Sequence, residues 1–144
     1  MFYSKKTEYL IQALLVIGDE FETGHYVSMD TIRIKADLPR ALTLKLLNFL
    51  VKDKILESNL GPSGGFRFLV NPKDVYLYQI KSYFDPISHL DGCALGLNFC
   101  SEERPCAMHD VWKTLRQPMK DFFEKTSMQT LIEEYREKSR LKGH

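Results

Sequence analysis

The chain has 144 residues, 44% of them hydrophobic and 27% charged, which suits one folded domain with a real core and excludes a disordered or low-complexity protein. A net charge of +1 excludes a polycation that would adhere to any acidic surface. No apolar run approaches bilayer length, and Lys5, Lys6 and Glu8 interrupt the place where a secretory signal would lie, so a cytoplasmic protein with no membrane partner is expected.

Residues 3–22 carry Tyr9, Leu10, Ala13, Leu14, Ile17 and Phe21 at helical spacing, with Glu8 and Gln12 stacked on another face and Gly24 closing the segment. Ser28 is placed to cap a short helix over Met29–Lys35. Ala36-Asp37-Leu38 makes a tight connection, and Pro39 fits the first turn of a second helix running from Arg40 to Lys52, with Leu42, Leu46, Leu47 and Leu50 inward. Helix, short turn, helix is the arrangement of a helix-turn-helix. Ile55–Leu60 and Phe66–Val70 read as two short strands around the turn Gly61-Pro62-Ser63-Gly64-Gly65, a hairpin in the position of a wing. The glycines do not form a nucleotide loop, which needs Gly-Lys-Ser/Thr before a helix; here a strand follows. Residues 31–70 hold seven Lys/Arg against three acids, +4 locally and −3 over the rest, as a surface that meets phosphates would.

Asp74 to Phe84 predicts another helix, closed by Pro86. Residues 85–106 have weak periodicity, and a loop this long in a small domain is commonly functional. A further helix starts near Cys106. In it Trp112, Leu115, Met119 and Phe122, spaced 3, 4 and 3, predict an apolar seam, with Pro118 expected to kink or interrupt the helix. Ser127 is placed to cap a last helix through about Arg136, followed by a frayed charged tail.

All three cysteines, Cys93, Cys100 and Cys106, lie in or at the end of that long loop, with His109 three residues beyond. In a reducing compartment an odd number of clustered thiols points to ligands or redox groups rather than a disulfide framework. Thiolate and imidazole suit iron–sulphur clusters or zinc. The gaps of six and five residues are longer than the short knuckles of structural zinc sites. His109 follows Cys106 at a spacing that puts both on one face at a helix start. A thiol enzyme would need an orienting acid and oxyanion donors at recognisable positions, and none is seen. The cysteines could also be plain small buried hydrophobes, but their Gly, Asn, Glu and Pro neighbours speak against a buried core position, which leaves cluster, zinc site and thiol redox switch as the functional readings.

The whole order of parts resembles the Rrf2 family of winged-helix transcription regulators, over roughly residues 1–136. The residues that carry the resemblance are the N-terminal MFYSKKTEYLIQALL, Leu38-Pro39, Lys45-Leu46-Leu47, the wing turn GPSGGF, the three cysteines with His109 and Trp112, and the closing TLIEEY. The resemblance implies a mainly α fold with a small β-wing and a long C-terminal dimerisation helix. It divides the chain into a winged helix-turn-helix over 1–84, a cluster loop over 85–106 and a dimerisation helix with tail over 107–144. It implies a homodimer on double-stranded, pseudo-palindromic operator DNA. It implies an iron–sulphur cluster, 2Fe–2S ahead of 4Fe–4S, whose redox state, reaction with nitric oxide or dependence on iron supply controls DNA affinity. The ligands would be Cys93, Cys100 and Cys106, completed by His109 or by a Glu8 reaching across from the other subunit. The second helix would enter the major groove by its N-terminal end. Arg40 would read a base edge, with Ala41 and Thr43 nearby and Lys45 and Lys52 on phosphates. Ser28, Ser63 and Arg67 complete the expected DNA-facing set; Leu60 stands where family members carry a minor-groove arginine. Trp112, Leu115, Met119 and Phe122 would form the dimer seam.

Overall fold

The computed structural model describes residues 3–142. Six α-helices and one two-stranded sheet follow in the order α1 (Lys5–Asp19), α2 (Met29–Ala36), α3 (Arg40–Lys52), β1 (Leu56–Asn59), β2 (Gly65–Phe68), α4 (Leu77–Lys81), α5 (His109–Lys125) and α6 (Met128–Leu141). Short 3-10 turns precede α2 and α4 and interrupt the long loop at Ile87–Asp91.

Local chemistry sets the helix boundaries. Ser28 Oγ accepts the Thr31 N–H and starts α2; Ser127 does the same for α6 from Thr130. Asp37 adopts the left-handed conformation, φ 51°, and turns the chain from α2 into α3. Pro39 is the capping residue just before α3, one position earlier than its fixed φ suggests. The strands pair antiparallel in the register Leu56 with Phe68 and Ser58 with Phe66. The wing is fastened to the body by two reciprocal hydrogen bonds between Val27 and Phe66, at 2.8 and 2.9 Å.

One core runs through all three segments expected from the sequence. Leu10, Leu14 and Ile17 of α1 meet Ile32 of α2, Leu46, Leu47 and Leu50 of α3, and Leu56, Phe66 and Phe68 of the wing. Leu90 of the long loop, Phe123 of α5, and Met128 and Ile132 of α6 belong to the same cluster. Each fully buried side chain of this kind contributes about 1.5–3 kcal/mol. A side chain at Gly18 would place its Cβ 2.1 Å from Ile132 Cδ1, so Ile132 of α6 packs directly over the bare glycine of α1.

Several local expectations are corrected. Asp74–Phe84 is not one helix: residues Val75 and Tyr76 are extended, bonded to Thr126–Met128 through Leu77 N–Thr126 O (2.9 Å) and Met128 N–Val75 O (2.7 Å). The backbone there pairs with the α5–α6 corner, which leaves α4 only five residues. α5 runs unbroken through Pro118. α6 extends past Arg136 to Leu141 because Arg136 is anchored, donating to Asp19 Oδ1 (2.9 Å), Asp19 O (2.9 Å) and Gly18 O (3.0 Å). No helix among the described residues is long and apolar enough to cross a membrane.

Candidate DNA interface and thiol–histidine site

α3 shows two faces. Thr43, Leu46, Leu47 and Leu50 are buried, while Ala41, Leu44, Lys45 and Lys52 are exposed. Thr43 therefore does not face DNA: it is fully buried and its Oγ1 has no hydrogen-bond partner. A threonine three residues before Leu46 falls on the inward stripe, which propensity alone does not reveal. An unpartnered buried hydroxyl costs about 1–3 kcal/mol. Thr43→Val is expected to leave stability unchanged or raise it by up to about 1 kcal/mol, with DNA affinity unchanged; urea denaturation and a binding isotherm check both.

Arg40, at the start of α3, is exposed and bonds Asp30 Oδ1 at 2.7 Å across the turn. Between α3 and the wing lies a cleft of about 590 Å³, lined by Arg40, Leu44, Asn48, Asn59, Leu60 and Phe66 among others. Leu60 is 95% exposed at the wing tip, and Ser63 is exposed in the turn. Ser28 is half-buried, its hydroxyl occupied by the α2 cap. Arg67 is held at the base of the wing: it pairs with Glu57, donates to Gly24 O at 3.0 Å and lies 4.3 Å from the Tyr26 ring centroid. Its guanidinium braces the hairpin at its base, away from the exposed tip at Leu60. Phe49 of α3 is exposed on one side and packs edge-on against Phe84 with ring centroids 5.7 Å apart.

At the other end, the long loop folds back on α5. Trp112 Nε1 donates to Gly92 O at 2.8 Å, and Lys120 bonds Asp91 Oδ1 at 2.7 Å. This splits the expected seam. Trp112 and Met119 pack on the core, whereas Val111, Leu115 and Phe122 are exposed. The outward apolar stripe is thus Val111, Leu115, Pro118 and Phe122, spaced 4, 3 and 4.

The four sulphur and imidazole groups stand in two pairs. Cys93 Sγ lies 3.5 Å from Cys106 Sγ, and Cys100 Sγ lies 3.4 Å from His109 Nδ1. All three cysteines are half-buried and unbridged. His109 is buried, because it opens α5 beneath the loop, and its Nε2 has no hydrogen-bond partner. Glu102 Oε2 comes within 3.2 Å of that nitrogen but out of line for a hydrogen bond; its other oxygen is paired with Lys113. The Lys113 ammonium, with His109 beside it, holds the Glu102 carboxyl below its ordinary range. Backbone N–H groups of Leu95 and Leu97 hold the Cys93 thiol below its ordinary value. No three His, Cys, Asp or Glu side chains among the described residues stand where one metal ion could hold them together. Glu8 is not part of this cluster in its own chain; it is paired with Lys5 at 3.1 Å on α1.

The sequence reading missed a clamp that ties the loop to the first helix. Asp85 Oδ2 accepts hydrogen bonds from Ser4 N (3.0 Å), Ser4 Oγ (2.8 Å) and Thr7 Oγ1. Buried Lys81 donates to Asp85 O at 2.8 Å, a local i, i+4 contact whose spacing is the one visible signal of the group.

A helix-turn-helix followed by a two-stranded wing defines a winged-helix DNA-binding protein. The family model of Rrf2, described as an iron-dependent transcriptional regulator, matches residues 3–134, and the chain belongs to the Rrf2 family. A protein of Aquifex aeolicus (strain VF5) described as an HTH-type transcriptional regulator is 28% identical over 134 residues, covering 92% of each chain. Among solved structures, CymR (YrzC), the global cysteine regulator of B. subtilis, matches with a TM-score of 0.73 at 18% identity, over 90% of this chain and 95% of that one. IscR of T. potens matches with a TM-score of 0.66 at 20% identity, over 92% and 86%. At these identities the structural likeness establishes the fold. The family is one of DNA-binding transcription regulators, not enzymes.

Proposed function

We propose that this chain is a homodimeric transcription regulator whose affinity for a pseudo-palindromic operator is set by a 2Fe–2S cluster on Cys93, Cys100, Cys106 and His109. The observation that carries the reading is the pairing of the donors. Two thiolates, or a thiolate and an imidazole, on one tetrahedral ion stand about 3.5–3.8 Å apart. The Cys93–Cys106 and Cys100–His109 separations of 3.5 and 3.4 Å are close to that spacing. A 2Fe–2S cluster takes two protein ligands on each iron, whereas structural zinc needs four donors around a single ion. His109 turns Nδ1 toward Cys100, and its buried Nε2 lies 3.2 Å from Glu102 Oε2, close enough for that carboxylate to swing into line and orient a metal-bound imidazole. His109, rather than Glu8 from the other subunit, takes the fourth position.

When bound, the cluster supplies a centre that redox state, nitric oxide or iron supply can alter. The chain's own residues carry the consequence. Cys93, Cys100, Cys106 and His109 would hold the second half of the loop to the start of α5; Trp112 and Lys120 tie its first half to α5, and Asp85 ties it to the start of α1. α1 packs on α2 and α3, so a change of loop order biases the placement of the reading helix. In DNA binding Arg40 reaches base edges, Ala41 lies against them, Lys45 and Lys52 meet phosphates, and Ser28 and Ser63 flank the backbone. A second copy covers Val111, Leu115 and Phe122 of α5 and sets the spacing of the two reading helices.

Protein purified without oxygen is expected to be coloured and to contain iron and acid-labile sulphide in equal amounts, two of each per chain. Colourless protein after anaerobic reconstitution with iron and sulphide would exclude the cluster. His109→Ala is expected to keep the iron but shift the visible spectrum, and Glu8→Ala to leave it unchanged.

A further inference from the structure

We propose that, when the site holds no cluster, peroxide joins Cys93 to Cys106 in a disulfide within one chain and leaves Cys100 a free thiol beside His109. The inference rests on the side-chain geometry and holds whatever group the four donors otherwise bind.

The two sulphurs face each other at 3.5 Å across a thirteen-residue separation. They need to close only to the covalent distance of about 2.05 Å, a movement within reach of side-chain rotation. Cys100 is set apart, its sulphur facing the imidazole of His109 at 3.4 Å. His109 is buried and fixed at the start of α5, so this pairing is the less mobile of the two. Cys93 opens a turn closed by Gly96 N–H donating to Cys93 O at 2.9 Å, with Gly96 at φ +76°, so the sulphurs close by side-chain rotation rather than by movement of the backbone. Both members of the facing pair are partly exposed, which admits a small oxidant.

The chemistry balances with hydrogen peroxide as the only co-reactant. One thiolate of the pair attacks a peroxide oxygen; the O–O bond breaks, hydroxide leaves and takes up a proton as water, and a sulphenic acid forms. The second thiolate attacks that sulphur, the S–O bond breaks, and a second water leaves as the S–S bond forms. Two thiols are oxidised, and one peroxide is reduced to two waters. The bridge withdraws two of the four donor atoms until a thiol reductant opens it. Cluster loss under peroxide would then pass into a stored, reversible form instead of irreversible over-oxidation.

The test is peptide mapping of full-length protein stripped of iron by a chelator without oxygen, then treated with hydrogen peroxide and alkylated. Chymotrypsin with a glutamyl protease cuts after Phe99 and Glu103, so the three cysteines fall on separate peptides. The expected result is a Cys93–Cys106 linked pair lighter by two hydrogens, an alkylated Cys100, and full reversal by dithiothreitol. Cys100→Ser keeps the bridge and Cys93→Ser abolishes it. A bridge that includes Cys100, a bridge between chains, or three free thiols in wild-type protein overturns the inference.

Discussion

Gly65→Ala is expected to lower stability by about 3 kcal/mol or more and to loosen the wing. Gly65 has φ +143°, which an L side chain rarely adopts, and strain of this kind costs about 1–3 kcal/mol. Its Cβ would also stand 2.1 Å from Val27 O and 2.4 Å from Val27 C, atoms of a backbone already bonded to Phe66. A flexible side chain could swing away from such a contact; a bridged backbone cannot. The collision falls where the hairpin joins the body, so the wing must detach or Val27 must move, and moving Val27 disturbs the Ser28 cap of α2. Overpacking adds about 1–3 kcal/mol. Urea unfolding should show a lower midpoint, and DNA affinity should fall with it, because Leu60 and Ser63 ride on the same hairpin. A Gly65→Ala protein as stable as wild type would show that the wing sits elsewhere.

Asp85→Ala is expected to cost about 2–4 kcal/mol near neutral pH. The carboxylate accepts from Ser4 N, Ser4 Oγ and Thr7 Oγ1 at the N-terminus of α1, and hydrogen bonds to a charged group are worth about 1.5–3 kcal/mol. Burial alone would raise this carboxyl, but the bonds from Thr7 and Ser4 and the charge of Lys81 outweigh it and leave it below its ordinary range. Because the folded value is depressed, the stabilisation is fully present above the unfolded value of about 3.9 and is lost as pH falls through the folded value. The difference between wild type and Asp85→Ala should therefore be large at pH 7 and shrink in acid below that value. Unfolding free energies across that range check it; a difference that does not change with pH would remove the carboxylate from the account.

How much of this was legible in the sequence depended on whether the signal was local. The Ser28 and Ser127 caps, the Arg40–Lys52 helix and the glycine-rich wing turn are set by residues within one or two turns, and each is found at its expected place. The failures share a long-range cause. The sequence predicts a helix from Asp74 onward, yet the backbone of Val75–Leu77 pairs with Thr126–Met128, about fifty residues away, and α4 shortens accordingly. Arg136 looked like the start of a solvated tail until α1 supplied the Gly18 and Asp19 carbonyls and the Asp19 carboxylate that hold it. Of the apolar seam expected on α5, Leu115 and Phe122 face outward while Trp112 and Met119 face the body, since spacing cannot tell which side of an apolar helix meets the loop; the Trp112–Gly92 hydrogen bond decides it. Among the three thiols and His109, spacing marks the candidates, and the two close pairs are visible only in three dimensions.

Those pairs make the proposed regulation specific: a cluster on the four donors would hold the segment from Cys93 to His109, and that loop reaches α3 through Asp85 and α1. The most direct measurement is DNA affinity at one fixed salt concentration, without oxygen, for loaded and cluster-free protein. The DNA would be a fragment selected from a random pool by each form in turn. The two forms are expected to differ by about 5–150-fold on the same fragment, the usual range for coupled sites, and His109→Ala is expected to narrow the gap. Equal affinities of loaded and cluster-free protein on every selected fragment would contradict the account.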